Sequence, residues 1–274
     1  MNIYRGCLHN CVYCDSRSDT YNMHHDFEEI EVKRNAPRIL EAQLRKRRSL
    51  CMIATGAMGD PYLPLEKDLQ YTRQCLEVIE KHGFGVTVLT KSASVLRDLD
   101  VLKRINDKAK AVVQMTLTTF DEKLCRILEP DASSTAERFR ALEICRDNGV
   151  PTVVWLCPLL PFINDTEENL RGILDYCVRA KVAAIMCFGF GTTMRGGSRD
   201  YFFRKLDEHF PGLQKKYKRA FGDAYVCPSP NEKELDRIFR ETCDRHGIIC
   251  DRDEVFAYLN DLPDKSGQLT LFDM

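Results

Sequence analysis

An α/β fold, a barrel or partial barrel with an α-rich C-terminal cap, is what three observations predict. Five short β-rich apolar runs recur along the chain, charge-rich amphipathic stretches separate them, and the alternation changes character near residue 190. The runs are Cys51–Thr55, Val86–Thr90, Ala111–Leu117, Val150–Leu156 and Ala183–Phe188. Each is short and apolar enough to be a parallel strand buried on both faces. Helical patterns at about 35–48, 66–82, 94–107, 121–147 and 166–181 alternate with them. His82-Gly83 and Asn148-Gly149 stop two of these helices before the next strand. Right-handed crossovers curl such a series into a barrel or partial barrel whose site lies at the strand C-termini. Beyond residue 190, Gly196-Gly197, Phe210-Pro-Gly212 and Cys227-Pro-Ser-Pro230 punctuate short helices. The expected division is 1–190 as barrel with an N-terminal loop and 191–274 as cap.

Composition narrows the function classes. The 274 residues carry 40 Lys+Arg against 41 Asp+Glu and are 44% hydrophobic, with no apolar run approaching the roughly eighteen residues of a membrane span. A formal net charge of −1 removes the main electrostatic argument for duplex nucleic acid and raises small-molecule or nucleotide substrates. No basic segment followed by an apolar one opens the chain, so the expected location is the cytoplasm. Thirteen cysteines then read as thiols or metal ligands rather than disulfides. Cys75, Cys125, Cys145, Cys177, Cys187 and Cys243 sit in helical or strand patterns, as small hydrophobes do.

The strongest chemical signal is Cys7-Leu-His-Asn-Cys11-Val-Tyr-Cys14, three cysteines on one tight loop. A closed structural zinc site needs four ligands. Three thiolates instead leave one iron of a [4Fe–4S] cluster without a protein ligand. The rival reading is zinc completed by His9 or a distant cysteine.

This motif, with an aromatic residue, Tyr13, before the last cysteine, resembles the signature of the radical S-adenosylmethionine (radical SAM) enzymes. The resemblance implies a partial (β/α)6 TIM-type barrel, in which Cys7, Cys11 and Cys14 bind a [4Fe–4S] cluster, SAM chelates the open iron, and Tyr13 lies near the adenine. It further implies that an electron from a reductant such as flavodoxin or ferredoxin cleaves SAM to a 5′-deoxyadenosyl radical. Gly56-Ala-Met-Gly-Asp-Pro61, Thr90-Lys-Ser92 with Arg97-Asp98, Thr116-Leu-Thr-Thr119, Glu129-Pro130 and Trp155-Leu-Cys-Pro158 resemble strand-end motifs of the spore photoproduct lyase-like branch. By that resemblance Lys91 reaches the SAM carboxylate, Thr116 bonds SAM, and the backbone around Leu156 and Cys157 abuts the adenine.

One departure bears on substrate. The hydrogen-donating cysteine of the spore photoproduct lyases themselves corresponds to Ala57 here, and Cys51 upstream would need a different geometry to replace it. With the neutral charge, this argues against repair of a thymine dimer in duplex DNA. Within the branch the chain resembles the queuine lyases, which release queuine from queuosine or its 5′-phosphate. Arg195–Phe203, Phe210–Gly212 and Tyr225–Pro230 fit a cap over a small nucleotide. Asp60 is then the candidate catalytic and base-contacting group, and Arg195 the phosphate ligand. A DNA-lesion lyase is the alternative, and a non-catalytic zinc or clamp-associated protein a third class. Trp155, the one tryptophan, is expected in the barrel core; His24-His25 read as loop histidines, and Arg45–Arg48 as a helix-end basic run. The tail Gln268-Leu-Thr-Leu-Phe272 resembles the peptide by which bacterial repair proteins dock on the sliding clamp, which would make the clamp a weak partner.

Overall fold

The structure, a computed structural model, describes residues 1–56, 58–263 and 265. Ala57 and the clamp-like stretch 268–272 lie outside the described residues. A short strand β1 (Tyr4–Arg5) pairs antiparallel with β2 (Glu31–Val32), and the cysteine loop runs between them. Then come α1 (Ala36–Leu44), β3 (Met52–Thr55), α2 (Glu66–Leu69), α3 (Tyr71–Lys81), β4 (Gly85–Thr90), α4 (Leu99–Lys108), β5 (Ala111–Thr116), α5 (Glu122–Leu128), α6 (Thr135–Asp147), β6 (Thr152–Trp155), α7 (Glu167–Ala180) and β7 (Ala184–Met186). The remainder comprises β8 (Gly191–Thr193), α8 (Ser198–His209), α9 (Leu213–Phe221), β9 (Val226–Pro228), α10 (Glu232–His246) and α11 (Arg252–Asn260). No helix among the described residues is long and apolar enough to cross a membrane.

Strands β3 to β7 form one parallel sheet in sequence order, so every connection is a βα crossover and all strand C-termini share one edge. All six residues of β5 are buried, because helices cover one face and the barrel lumen the other. The sheet has five strands where six were expected. The sixth position is held by a single residue: Ile185 N–H donates to Ile249 O at 2.8 Å, and Ile249 N–H to Ala183 O at 3.1 Å. The N-terminal β1 is too short to take that place and pairs only with β2.

Two differences from expectation have physical causes. The helical pattern over 121–147 breaks into α5 and α6 because Pro130 has no N–H and drives the preceding residue out of the helix. A capping box, Ser134 with Glu137, restarts it. The region expected as a single cap has three separate placements. Helices α8 and α9 pack with Val12 of the cysteine loop in an aromatic cluster around Phe202, Phe203 and Tyr217. Leu235, Ile238, Phe239 and Cys243 of α10 join the main core beside α7. Val255 and Leu259 of α11 fill the lumen against Val112, Val153, Ala184 and Met186, so the last helix closes the open side of the barrel. Of the six cysteines expected to be core thiols, Cys75, Cys125, Cys145, Cys177 and Cys243 are buried, whereas Cys187 is partly exposed.

Candidate functional site

The cysteine loop lies across the C-terminal ends of the strands, and close backbone contact sets its path. Gly6, at φ +89°, has Phe27 O where a Cβ would stand, and a Cβ on Gly59 would lie 2.7 Å from Gly6 O. The loop is moulded on the segment that Pro130 breaks from helix. Val12 N–H donates to Leu128 O at 2.9 Å, Asn10 Nδ2 to Asp131 Oδ2 at 2.8 Å, and His9 Nδ1 lies 3.2 Å from Asp131 O. Cys7, Cys11 and Cys14 all line one cavity of about 670 Å³. Burial pushes the Cys7 thiol up to about 11.

Two buried polar struts tie this loop to the barrel. In the first, Asp60 receives hydrogen bonds from Tyr62 N–H (2.8 Å), the Thr90 hydroxyl (2.7 Å) and Lys91 N–H (2.7 Å). His9 Nε2 stands 3.1 Å from Asp60 Oδ2, an ion-pair contact rather than an aligned hydrogen bond. Burial alone would raise the Asp60 carboxyl and lower the His9 imidazole; their mutual attraction outweighs it, moving Asp60 down and His9 up. In the second, the Tyr13 hydroxyl donates to Glu129, Glu129 pairs with Arg138, and Arg138 Nη1 donates to Thr116 O at 2.7 Å. Neither member of the Glu129–Arg138 pair touches solvent.

Lys91 follows β4 at the cavity wall, with its ammonium 5.7 Å from the centre of the Tyr13 ring. Burial opposes its charge, but the Cys11 sulfur and the Glu129 carboxylate prevail and its pKa rises. A cationic group is thus held beside three sulfurs on an open cavity. This donor set suits a cluster bound by three thiolates better than a closed zinc tetrahedron.

The rest of the lining is aromatic and mixed in charge. Trp155 lines the cavity, its indole N–H donating to Gln114 Oε1 at 2.6 Å and its ring 5.7 Å from that of Phe188. Trp155 packs against the cluster of Val112, Val153, Ala184 and Met186, as expected of a barrel-core aromatic, and at the end of β6 it also forms part of the cavity wall. Arg195 donates to the Tyr225 hydroxyl at 3.1 Å and stands 3.3 Å from Asp15.

Most of the expected residues therefore converge: Cys7, Cys11, Cys14, Tyr13, Lys91, Thr116, Cys157, Asp60 and Arg195 line the same cavity. Leu156 does not. It is fully buried in the core, and its N–H donates to Met186 O at 2.9 Å. Asp60 lines the cavity while its carboxylate is engaged by Thr90, Lys91, Tyr62 and His9, so it also serves as a strand-end hub. Replacing it, Asp60→Asn, would turn an NH2 toward a buried N–H and leave donors unpaired, at about 1–3 kcal/mol. The expected result is a lowered Tm with SAM cleavage reduced and not abolished; thermal melts and 5′-deoxyadenosine assays check it. Full abolition in a protein with unchanged Tm would restore Asp60 to the chemistry. His9, Glu129 and Arg138 had no assigned structural role; the only sequence signals were the place of His9 between two cysteines and the Glu129-Pro130 pair.

Comparison with known proteins agrees with this geometry. The chain belongs to the radical SAM superfamily, whose profile matches residues 1–177. Members of that family bind a [4Fe–4S] cluster and SAM and work with a reductant. An uncharacterized protein of Mycobacterium tuberculosis is 27% identical over 247 residues, 87% of this chain and 72% of that protein. Another, from Methanocaldococcus jannaschii, is 31% identical over 169 residues, 61% of this chain and 62% of its own length. In fold, the chain is similar to a mutant spore photoproduct lyase with bound AdoMet and dinucleoside spore photoproduct, with a TM-score of 0.63 at 15% identity over 91% of this chain and 74% of that one.

Proposed function

We propose that the chain is a cytoplasmic radical SAM lyase that breaks the N-glycosidic bond of a modified nucleotide and releases queuine from queuosine 5′-phosphate. The supporting observation is that one cavity of about 670 Å³ is lined by the three cysteines and Lys91 together with Trp155, Phe188 and Arg195. When bound, the cluster and SAM supply the 5′-deoxyadenosyl radical that removes a ribose hydrogen. Cys7, Cys11 and Cys14 hold the cluster, and Lys91 offsets the SAM carboxylate's charge. Tyr13, Thr116 and Cys157 border the SAM side. Arg195 takes the 5′-phosphate, with the Tyr225 ring 5.5 Å from its guanidinium as support. Asp60 acts by position, joining the cysteine loop to Lys91.

The test is anaerobic incubation of the iron–sulfur-reconstituted protein with SAM, dithionite and queuosine 5′-phosphate, following free queuine and 5′-deoxyadenosine. Queuine should appear only with all components present. Formation of 5′-deoxyadenosine without queuine would refute this substrate and direct the next assay to lesion-containing DNA. That second reading, a DNA-lesion lyase, is favoured by the clamp-like tail Gln268-Leu-Thr-Leu-Phe272.

A further inference from the structure

Beside the cavity wall that carries Trp155 lies a gap whose chemistry has no use in holding the cluster or SAM. Phe188, 53% exposed, presents its ring to solvent between Trp155 and Phe256, the latter 6.3 Å away on α11. Large aromatics left open at a cavity mouth mark a contact surface for a flat apolar partner. The next residue, Gly189, has φ +96°, and a Cβ there would meet only Glu232 Oε1, at 3.5 Å. Phe188 and Glu232 both border the same open space, each lining the main cavity and a neighbouring one.

Glu232 stands in the first turn of α10 and lines the main cavity as well as a neighbouring one of about 510 Å³. Its side chain takes part in none of the ion pairs or hydrogen bonds among the described residues. Asp236 and Arg240 nearby pair with each other, as do Arg252 and Asp253. A free acceptor with two oxygens beside a stacking ring selects a planar heterocycle with two adjacent N–H donors on one edge. Guanine and 7-deazaguanine offer that edge, the ring N1–H beside the 2-amino group. Adenine sets an acceptor nitrogen beside its amine, and hypoxanthine lacks the second donor.

We infer that Glu232 and Phe188 form a subsite for a guanine-type base, Phe188 stacking on the ring and Glu232 accepting from its N1–H and 2-amino edge. The inference deepens the proposed function and rests on it for placing a nucleotide in this cavity. It also assigns base selectivity to the C-terminal third of the chain, away from the cysteine loop.

The experiment is anaerobic isothermal titration calorimetry of the cluster- and SAM-loaded protein with GMP, IMP and AMP. GMP should bind roughly tenfold or more tighter than IMP or AMP, the worth of a hydrogen bond to a charged acceptor. In Glu232→Gln, an exposed substitution, that preference should disappear. In Phe188→Ala all three nucleotides should weaken together. Equal affinities in the wild type, a preference that survives Glu232→Gln, or no binding of any of the three would each overturn the assignment. If the GMP preference holds but queuosine 5′-phosphate is not turned over, the queuine reading fails and the guanine-type subsite stands.

Discussion

Cys11→Ser protein, reconstituted with iron and sulfide, will retain little cluster absorbance and lose 5′-deoxyadenosine formation by at least roughly a hundredfold, because even outer-shell partners of a metal site cost about 10- to 100-fold. The thiolate is a soft anionic ligand that a hydroxyl does not replace. The same loss is expected for Cys7→Ser and Cys14→Ser, since the three sulfurs line the cavity together. Cys51→Ser serves as the contrast: Cys51 precedes β3 and is not among the residues lining that cavity, so iron content and activity should stay near wild type. Iron and acid-labile sulfide analysis reads the outcome without a substrate. Full iron loading in Cys11→Ser would show that the loop is not the cluster site.

Glu129→Ala should destabilise the fold by about 3–5 kcal/mol, because it strands the Arg138 charge in the core. For a chain of this size that is a fall in Tm on the order of 10 °C. The change also removes the acceptor of the Tyr13 hydroxyl, so the loop should lose its cluster faster, a loss followed by absorbance decay under chelator. Burial pushes the Glu129 carboxyl up, but Arg138 and then Lys91 pull it down further, leaving it below the ordinary carboxylate range. A carboxyl depressed in the native state stabilises the fold above that range and loses the contribution as pH falls through its native value. Wild-type stability should therefore drop below about pH 4 with a component that Glu129→Ala lacks. Chemical denaturation of both proteins at pH 7 and at about pH 3 measures it.

Local pattern carried much of the architecture. Runs such as 86–90 and 111–117 became β4 and β5 with ends shifted by a residue, because a strand buried on both faces is apolar along its whole length. The pattern over 121–147 concealed a break, although Pro130 stood in it, and that break makes the bed of the cysteine loop. The sixth strand position, reduced to Ile249, has no periodicity to read. Nor could pattern divide the C-terminal part among the loop, the wall and the lumen, since an amphipathic helix does not say which surface will cover it. At the site, the cysteine spacing was legible because all three cysteines lie within one stretch of eight residues. The struts were not. Tyr13 and Glu129 are 116 positions apart, and a single His9, Glu129 or Arg138 carries no sign of its partner until the fold brings them together.

The central claim is that the cavity joining Cys7, Cys11, Cys14 and Lys91 cleaves SAM reductively. The most direct measurement is 5′-deoxyadenosine formed by the anaerobically reconstituted wild-type protein with SAM and dithionite, alongside its metal content. The account predicts about four irons per chain, the content of one [4Fe–4S] cluster, and cluster-dependent 5′-deoxyadenosine; one zinc per chain with no 5′-deoxyadenosine under any reductant would contradict it.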